Sequence, residues 1–207
     1  LAVINAGSTM LYKPSGALSY SDNNKFYNPR LLISEKYMLI YDRGDTTHTY
    51  SVHNSFAKLH EERYDYPITL ADISDNGSYA VVTRDDSFRS VVYVYNENFK
   101  LKNTVKKDKY VLSVSMSDNG SKLAIASVYD KDGDFESEIQ VLGASSETPD
   151  FTVIENGKIP LQSEWLKNGD LAVIFSDCAV IYSQKGERKN TIDLSGLSSI
   201  TAKAGDN

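Results

Sequence analysis

The chain has 207 residues, 41% of them hydrophobic and 24% charged, with 14 tyrosines against one tryptophan and only five prolines. That composition is ordinary for a soluble globular protein, long enough for a sizeable core and too poor in proline for a disordered segment. A net charge of −6 argues against nucleic acid, whose phosphates call for a basic footprint, and the single cysteine, Cys178, excludes an internal disulfide.

The first segment holds about three short strands, Ala2 to Asn5, Thr9 to Tyr12 and Ala17 to Tyr20, and reads as a partial unit over residues 1–22. Leu1 runs directly into Ala2-Val3-Ile4 with no basic region before it, and no apolar stretch approaches the roughly 20 residues that cross a bilayer. Without an initiating methionine, the chain is expected to be an excised or processed part of something longer, with any membrane anchor outside it.

A second unit over about 26–62 contains Arg30-Leu31-Leu32-Ile33, the turn Ser34-Glu35-Lys36 and the run Tyr37 to Tyr41. The third, about 66–106, is the clearest. Its strands are expected at Ile68 to Ser74, Ser78 to Arg84, Ser90 to Tyr95 and Phe99 to Val105. Val91-Val92-Tyr93-Val94-Tyr95 is β-branched and aromatic throughout, which opposes helix. The apolar run Ala80-Val81-Val82 implies burial on both faces, as expected of an inner strand between neighbouring sheets. The fourth unit, about 109–154, repeats the plan with a polar hairpin tip inserted at Asp130 to Ser137. The fifth, about 158–194, carries Glu164-Trp165-Leu166, Asn168-Gly169 and Leu171 to Phe175, and residues 198–203 supply a candidate tail strand.

Two landmarks set the period. Ser74-Asp75-Asn76-Gly77-Ser78 recurs as Ser117-Asp118-Asn119-Gly120-Ser121, 43 residues on. Asn-Gly between two apolar runs predicts a hairpin turn in which both residues take positive φ. An aromatic is expected to close the third strand of most units, at Tyr12, Tyr50, Tyr95 and Tyr182. Tyr12 and Tyr182 stand 170 residues apart, four periods of 42.5 residues. Four strands per 40–45 residues is the signature of a propeller blade, because one small sheet cannot bury both faces alone and stacked blades can. The chain is therefore expected to be all-β, a β-propeller of four-stranded antiparallel blades in about five repeats. It forms either a closed five-bladed ring or an arc of a larger one.

Ser117 to Ala124, Ser-Asp-Asn-Gly-Ser-Lys-Leu-Ala, resembles the Ser-x-Asp-Gly-x-x-Leu-Ala turn of TolB-like and WD-repeat-like bacterial propellers. With Tyr41-Asp42-Arg43-Gly44, the run to Glu187 resembles an uncharacterised propeller family of Gram-positive bacteria. That resemblance implies an N-terminal membrane anchor and display at the bacterial cell surface or beyond it, a cytoplasmic location being the alternative. The Gly-His and Trp-Asp pairs of WD repeats, sialidase Asp-boxes and the tryptophan docking pattern of quinone-cofactor propellers are absent.

A search for chemistry finds little. His48, His53 and His60 invite a metal reading, but the spacing of the first two would turn them to opposite faces of one strand, and surface histidines are expected. Asp130, Asp132, Asp134 and Glu136 imitate a calcium loop, yet Phe135 and Val141 stand where the pattern wants glycine and glutamate. Asp132-Gly133 reads better as a hairpin turn. Cys178 is expected to be a small packed residue, and Lys106, Lys107 and Lys109 a solvated loop. The carboxylate pairs Asp85-Asp86 and Glu61-Glu62 lie in polar segments without the flanking that splits two pKa values. No nucleophile elbow or phosphate-binding glycine loop is present, so no cofactor is expected.

What remains is the row of loops joining second to third strands: Asp42 to Asp45, Arg84 to Arg89, Asp130 to Ser137 and Ser176-Asp177. Such loops gather on one face of a propeller, and binding residues concentrate on loops of rigid scaffolds. Arginine recognises carboxylates and phosphates bidentately. Arg43, Arg84 and Arg89, with Asp42 and Asp85, are therefore the candidate binding residues. The competing reading is that these charges pair across neighbouring blades and keep the rim soluble. The expected function is a non-catalytic binding or scaffold propeller, with a protein, peptide or glycan as partner, no nucleic acid, and membrane contact only through an outside anchor. The alternatives are an accessory domain of a hydrolase whose catalytic residues lie elsewhere, and a structural spacer.

Overall fold

The structure, a computed structural model, describes every residue except Ala6 and residues 197–207, so the candidate tail strand at 198–203 lies outside the described residues. Strands β1 (Ala2–Ile4), β2 (Ser8–Tyr12) and β3 (Leu18–Asn23) form a three-stranded sheet. Four four-stranded sheets follow: β4 (Pro29–Ile33), β5 (Tyr37–Asp42), β6 (Thr49–Asn54) and β7 (Lys58–Arg63); then β8 (Leu70–Ile73), β9 (Tyr79–Thr83), β10 (Ser90–Tyr95) and β11 (Leu101–Lys107). The next holds β12 (Tyr110–Met116), β13 (Lys122–Lys131), β14 (Asp134–Gly143) and β15 (Pro149–Asn156), and the last β16 (Pro160–Trp165), β17 (Leu171–Phe175), β18 (Cys178–Tyr182) and β19 (Arg188–Asp193). Within these sheets every strand pairing is antiparallel between chain neighbours, and no described residue is helical. The fold is a β-propeller.

Blade packs on blade through alternate side chains. Leu39, Tyr50, Val52, Ala71, Ile73, Tyr79 and Val81 fill the space between the second and third sheets. Ala80, Val82, Val92 and Val94, on the other face of the same strands, meet Val111, Val114, Met116 and Leu123 of the fourth. The fourth and fifth meet through Ala124, Ile139, Val173, Phe175 and Val180. One strand thus contributes to two cores, and β9 is buried along its whole length for that reason. The innermost row, however, is made by the first strands, β4 against β8, β8 against β12 and β12 against β16. Polar side chains stitch this row together: Asp72 Oδ2 accepts from Met116 N at 2.7 Å, Ser113 Oγ from Ser163 N at 2.8 Å, and Ser115 O from Trp165 Nε1 at 3.0 Å.

The Asp-Asn-Gly turns differ from the expected two-residue type. Gly77 and Gly120 take φ of +91° and +68°, whereas neither Asn76 nor Asn119 is among the residues of positive φ. Gly77 N bonds back to Ser74 O at 3.0 Å, and Asn76 Oδ1 accepts from Ser78 N at 2.9 Å, so the asparagine side chain closes the turn and only glycine enters the left-handed region. The turns also bond to each other across blades. Glu35 N donates to Asp75 Oδ1 at 2.9 Å, Asp75 N to Asp118 O at 3.1 Å, and Asn76 Nδ2 to Asn119 O at 2.7 Å. Asp132-Gly133 does form the two-residue turn, with φ of +56° and +92°, and it carries the long β13–β14 hairpin.

Two further expectations need correction. Tyr50 sits near the start of β6, not at its end, because that strand begins at Thr49 and closes on Asn54. Its ring is buried, its hydroxyl pairs with Tyr79 Oη at 3.0 Å, and burial pushes its pKa far above the usual phenol range. Lys107 and Lys109 are not a solvated loop. Their ammonium groups hold Glu138 of the next strand pair at 2.9 and 2.5 Å, with little side-chain exposure, and Lys109 lies 4.1 Å from the Tyr129 ring.

Candidate functional site

Antiparallel alternation brings the loops between second and third strands to the same end of the molecule as the starts of the first strands. There a cavity of about 730 Å³ opens among three blades. Arg43 enters from the loop after β5, and Arg84 and Arg89 from the loop between β9 and β10. Tyr110, at the start of β12, completes the charged wall, and Ile68, Leu70 and Val111 give it an apolar floor. A parallel bridge between Arg43 and Ile68 fixes the backbone of the first loop against the next blade.

All three arginines are exposed, and none forms an ion pair among the described residues. Pairing of these rim charges with one another across blades is therefore not what the structure contains. Arg89 instead donates to Tyr110 Oη and stands 4.7 Å from the Tyr110 ring centroid, which holds its guanidinium at the cavity edge. Asp45 is the carboxylate on the cavity wall; neither histidine nor cysteine lines it.

The two predicted aspartates are not brought to the cavity. Asp42 is 1% exposed, and its carboxylate accepts from Tyr27 N at 3.0 Å, Asn28 N at 2.5 Å and Thr47 Oγ1 at 2.6 Å. It fastens the start of its blade to the loop that carries Arg43. Asp85 Oδ1 accepts from Ser87 N at 2.8 Å and Phe88 N at 2.6 Å, shaping the loop between Arg84 and Arg89. Both aspartates position arginines rather than line the site. Tyr110 stands at a strand start, outside the loops that supply the sequence candidates; its signal in the sequence is topological, since strand starts and these loops meet at one rim.

The remaining candidates are occupied elsewhere. His53 is buried, not at the surface; its Nε2 pairs with Ser51 Oγ at 2.8 Å, and burial lowers its pKa to about 4. His48 Nδ1 lies 3.0 Å from Asp65 O, and His60 stacks on Phe99 with ring centroids 5.1 Å apart. Glu136 is engaged by Tyr129 and by Lys131 at 2.9 Å. Among the described residues no three His, Cys, Asp or Glu side chains group closely enough to hold a metal. Cys178 is buried, takes a hydrogen bond from Lys158 Nζ at 2.9 Å, and has its thiol pKa pushed up by burial. The opposite mouth, a cavity of about 500 Å³, is rich in acids: Glu35, Asp72, Asp75, Asp118 and Glu164. Of these Asp72 is notable, burial raising its pKa to about 7.

A family model described as a family of unknown function, DUF5711, matches residues 1–199. No curated protein matches the sequence. Among solved structures, the chain is similar to KlHsv2 with loop 6CD replaced by a Gly-Ser linker, at a TM-score of 0.60 and 12% identity, over 93% of this chain and 70% of that one. It is also similar to Kuenenia stuttgartiensis hydrazine synthase, at a TM-score of 0.65 and 12% identity, over 93% of this chain and 61% of that one. At such identity the likeness supports the propeller fold and nothing further.

Proposed function

The chain belongs to the DUF5711 family, and we propose that it acts as a non-catalytic binding propeller whose arginine rim takes an acidic ligand, presented on a protein, peptide or glycan. One observation carries this reading. Arg43, Arg84 and Arg89 converge on a single cavity, and among the described residues no carboxylate pairs with them. A guanidinium fork offers parallel donors to a carboxylate, and an apolar floor beneath it favours a ligand with some apolar body. With one wall carboxylate and neither histidine nor cysteine, the cavity has the makings of recognition rather than of acid–base or nucleophilic work. Display outside a bacterial cell, on an anchor beyond this chain, belongs to the same reading and is supported by the resemblance of Tyr41 to Gly44, with the run to Glu187, to an anchored propeller family of Gram-positive bacteria.

The test is fluorescence anisotropy with a labelled oligoglutamate peptide at low salt. The expected result is saturable binding that weakens as salt rises, and that falls about a hundredfold in the Arg43→Glu/Arg84→Glu double variant, roughly 1.4 kcal/mol or more per arginine. Binding that ignores the double substitution refutes the assignment of the rim.

A further inference from the structure

The arginine rim holds more positive charge than a carboxylate ligand can use. A guanidinium presents one charge and parallel donors, and a single fork fills both oxygens of a carboxylate. Three such forks, from Arg43, Arg84 and Arg89, line this one cavity. Asp45, the carboxylate on the wall, takes back one of the three charges. Asp85 lies off the wall, its Oδ1 given to the amides of Ser87 and Phe88. The wall therefore keeps two positive charges in excess, and its ligand is expected to bring two negative ones.

Hydroxyl donors stand beside the arginines. Tyr110 Oη accepts from Arg89, which leaves its phenolic proton to give. Ser90 lines the same cavity and is 4% exposed. Its Oγ accepts from Val111 N at 3.0 Å, and among the described residues no acceptor takes its proton. The rest of the wall includes Leu70, Leu112 and Val128, all half-buried. At about 730 Å³ the cavity has room for an apolar body as well as an anion.

Resting on the reading that this rim binds an acidic ligand, we propose that the acid is a phosphate monoester on a small apolar body, the group that a phosphorylated tyrosine presents, in preference to a carboxylate. A phosphate monoester carries close to two negative charges at neutral pH and three acceptor oxygens on one atom. It answers both the excess charge of the wall and the number of its forks. A carboxylate answers one fork and half the charge. A sulfate monoester has the tetrahedral shape but one charge too few.

The probe is phenyl phosphate, titrated by calorimetry at low salt into the 207-residue chain. It should bind one to one, and about tenfold or more tighter than each of three controls. Phenyl sulfate keeps the shape and loses a charge. Phenylmalonate keeps the ring and both charges but places them on two carboxylates. Glucose 6-phosphate moves the phosphate from an apolar body to a sugar. The Arg43→Glu/Arg84→Glu double variant should abolish the binding, and Lys185→Glu, at an exposed position in the turn between β18 and β19, should leave it unchanged. Any control binding as tightly as phenyl phosphate, or binding that survives the double substitution, overturns the proposal. Oligoglutamate run in parallel separates the two readings. If it binds through Arg43 and Arg84 while phenyl phosphate shows no advantage, the acidic-ligand rim stands and the phosphate assignment falls; if neither binds, both fall.

Discussion

Replacing Gly120 by alanine tests whether the repeated turn is only a turn or also a joint between blades. Two costs are separable. At φ of +68° any Cβ pays the left-handed penalty, roughly 1–2 kcal/mol. In addition, a Cβ on Gly120 falls 2.5 Å from Asn76 Oδ1 and 2.7 Å from Ser78 Cβ, atoms of the preceding blade's turn. Those atoms must move, at about 1–3 kcal/mol for overpacking, and the Asn76 Nδ2 to Asn119 O bond of 2.7 Å is strained with them, for about 1 kcal/mol more. Gly133 supplies the control: its φ is +92°, and a Cβ there meets nothing within 4 Å. Gly133→Ala should therefore cost about 1–2 kcal/mol and Gly120→Ala about 3–6 kcal/mol. Equilibrium urea unfolding followed by Trp165 measures both, since the sole tryptophan bonds to Ser115 O across the last blade interface. Equal losses in the two variants refute the inter-blade joint.

Two buried groups give pH slopes of opposite sign. His53 titrates at about 4 in the fold against 6.5 unfolded, so the unfolded chain takes up the proton first and stability falls by about 3 kcal/mol as pH drops from 6.5 to 4. Asp72, raised from 3.8 to about 7, keeps its proton in the fold while the unfolded chain loses it, so stability falls as pH rises across that window. His53→Leu should leave a urea midpoint that declines from pH 4 to 7, and Asp72→Asn one that climbs; the same slope in both variants refutes the assignments. Glu138→Gln leaves Lys107 and Lys109 with a neutral partner at a half-buried blade junction and should lower stability by about 1–3 kcal/mol, read by thermal unfolding. A melting temperature matching the unsubstituted chain would show the pair to be ornamental.

Much of the architecture could be read from residue order because a propeller blade is a local object. Strand alternation, Asn-Gly at a 43-residue spacing and the tyrosines ending β2, β10 and β18 all report contacts made within one repeat or between adjacent ones. The Asp132-Gly133 hairpin and the loops carrying Arg43, Arg84 and Arg89 follow from the same local chemistry. Residues whose roles depend on a neighbouring sheet were harder. Tyr50 looked like a strand end and proved to be a core hydroxyl against Tyr79; Lys107 and Lys109 looked like solvated charges and proved to grip Glu138. In both cases the partner lies 29 to 31 residues away, on a strand whose facing side chain no local pattern specifies.

The candidate site divides along the same line. Sequence by itself determined that arginines would stand at one rim, since loop type follows from strand order. Only tertiary structure decided that Asp42 and Asp85 turn inward to cap backbone amides and that Tyr110 steadies Arg89. The physical reason is that hydrogen-bond partners and burial are properties of packed surfaces. Each blade's pattern is written in its own residues, but what covers it is written in the blade beside it.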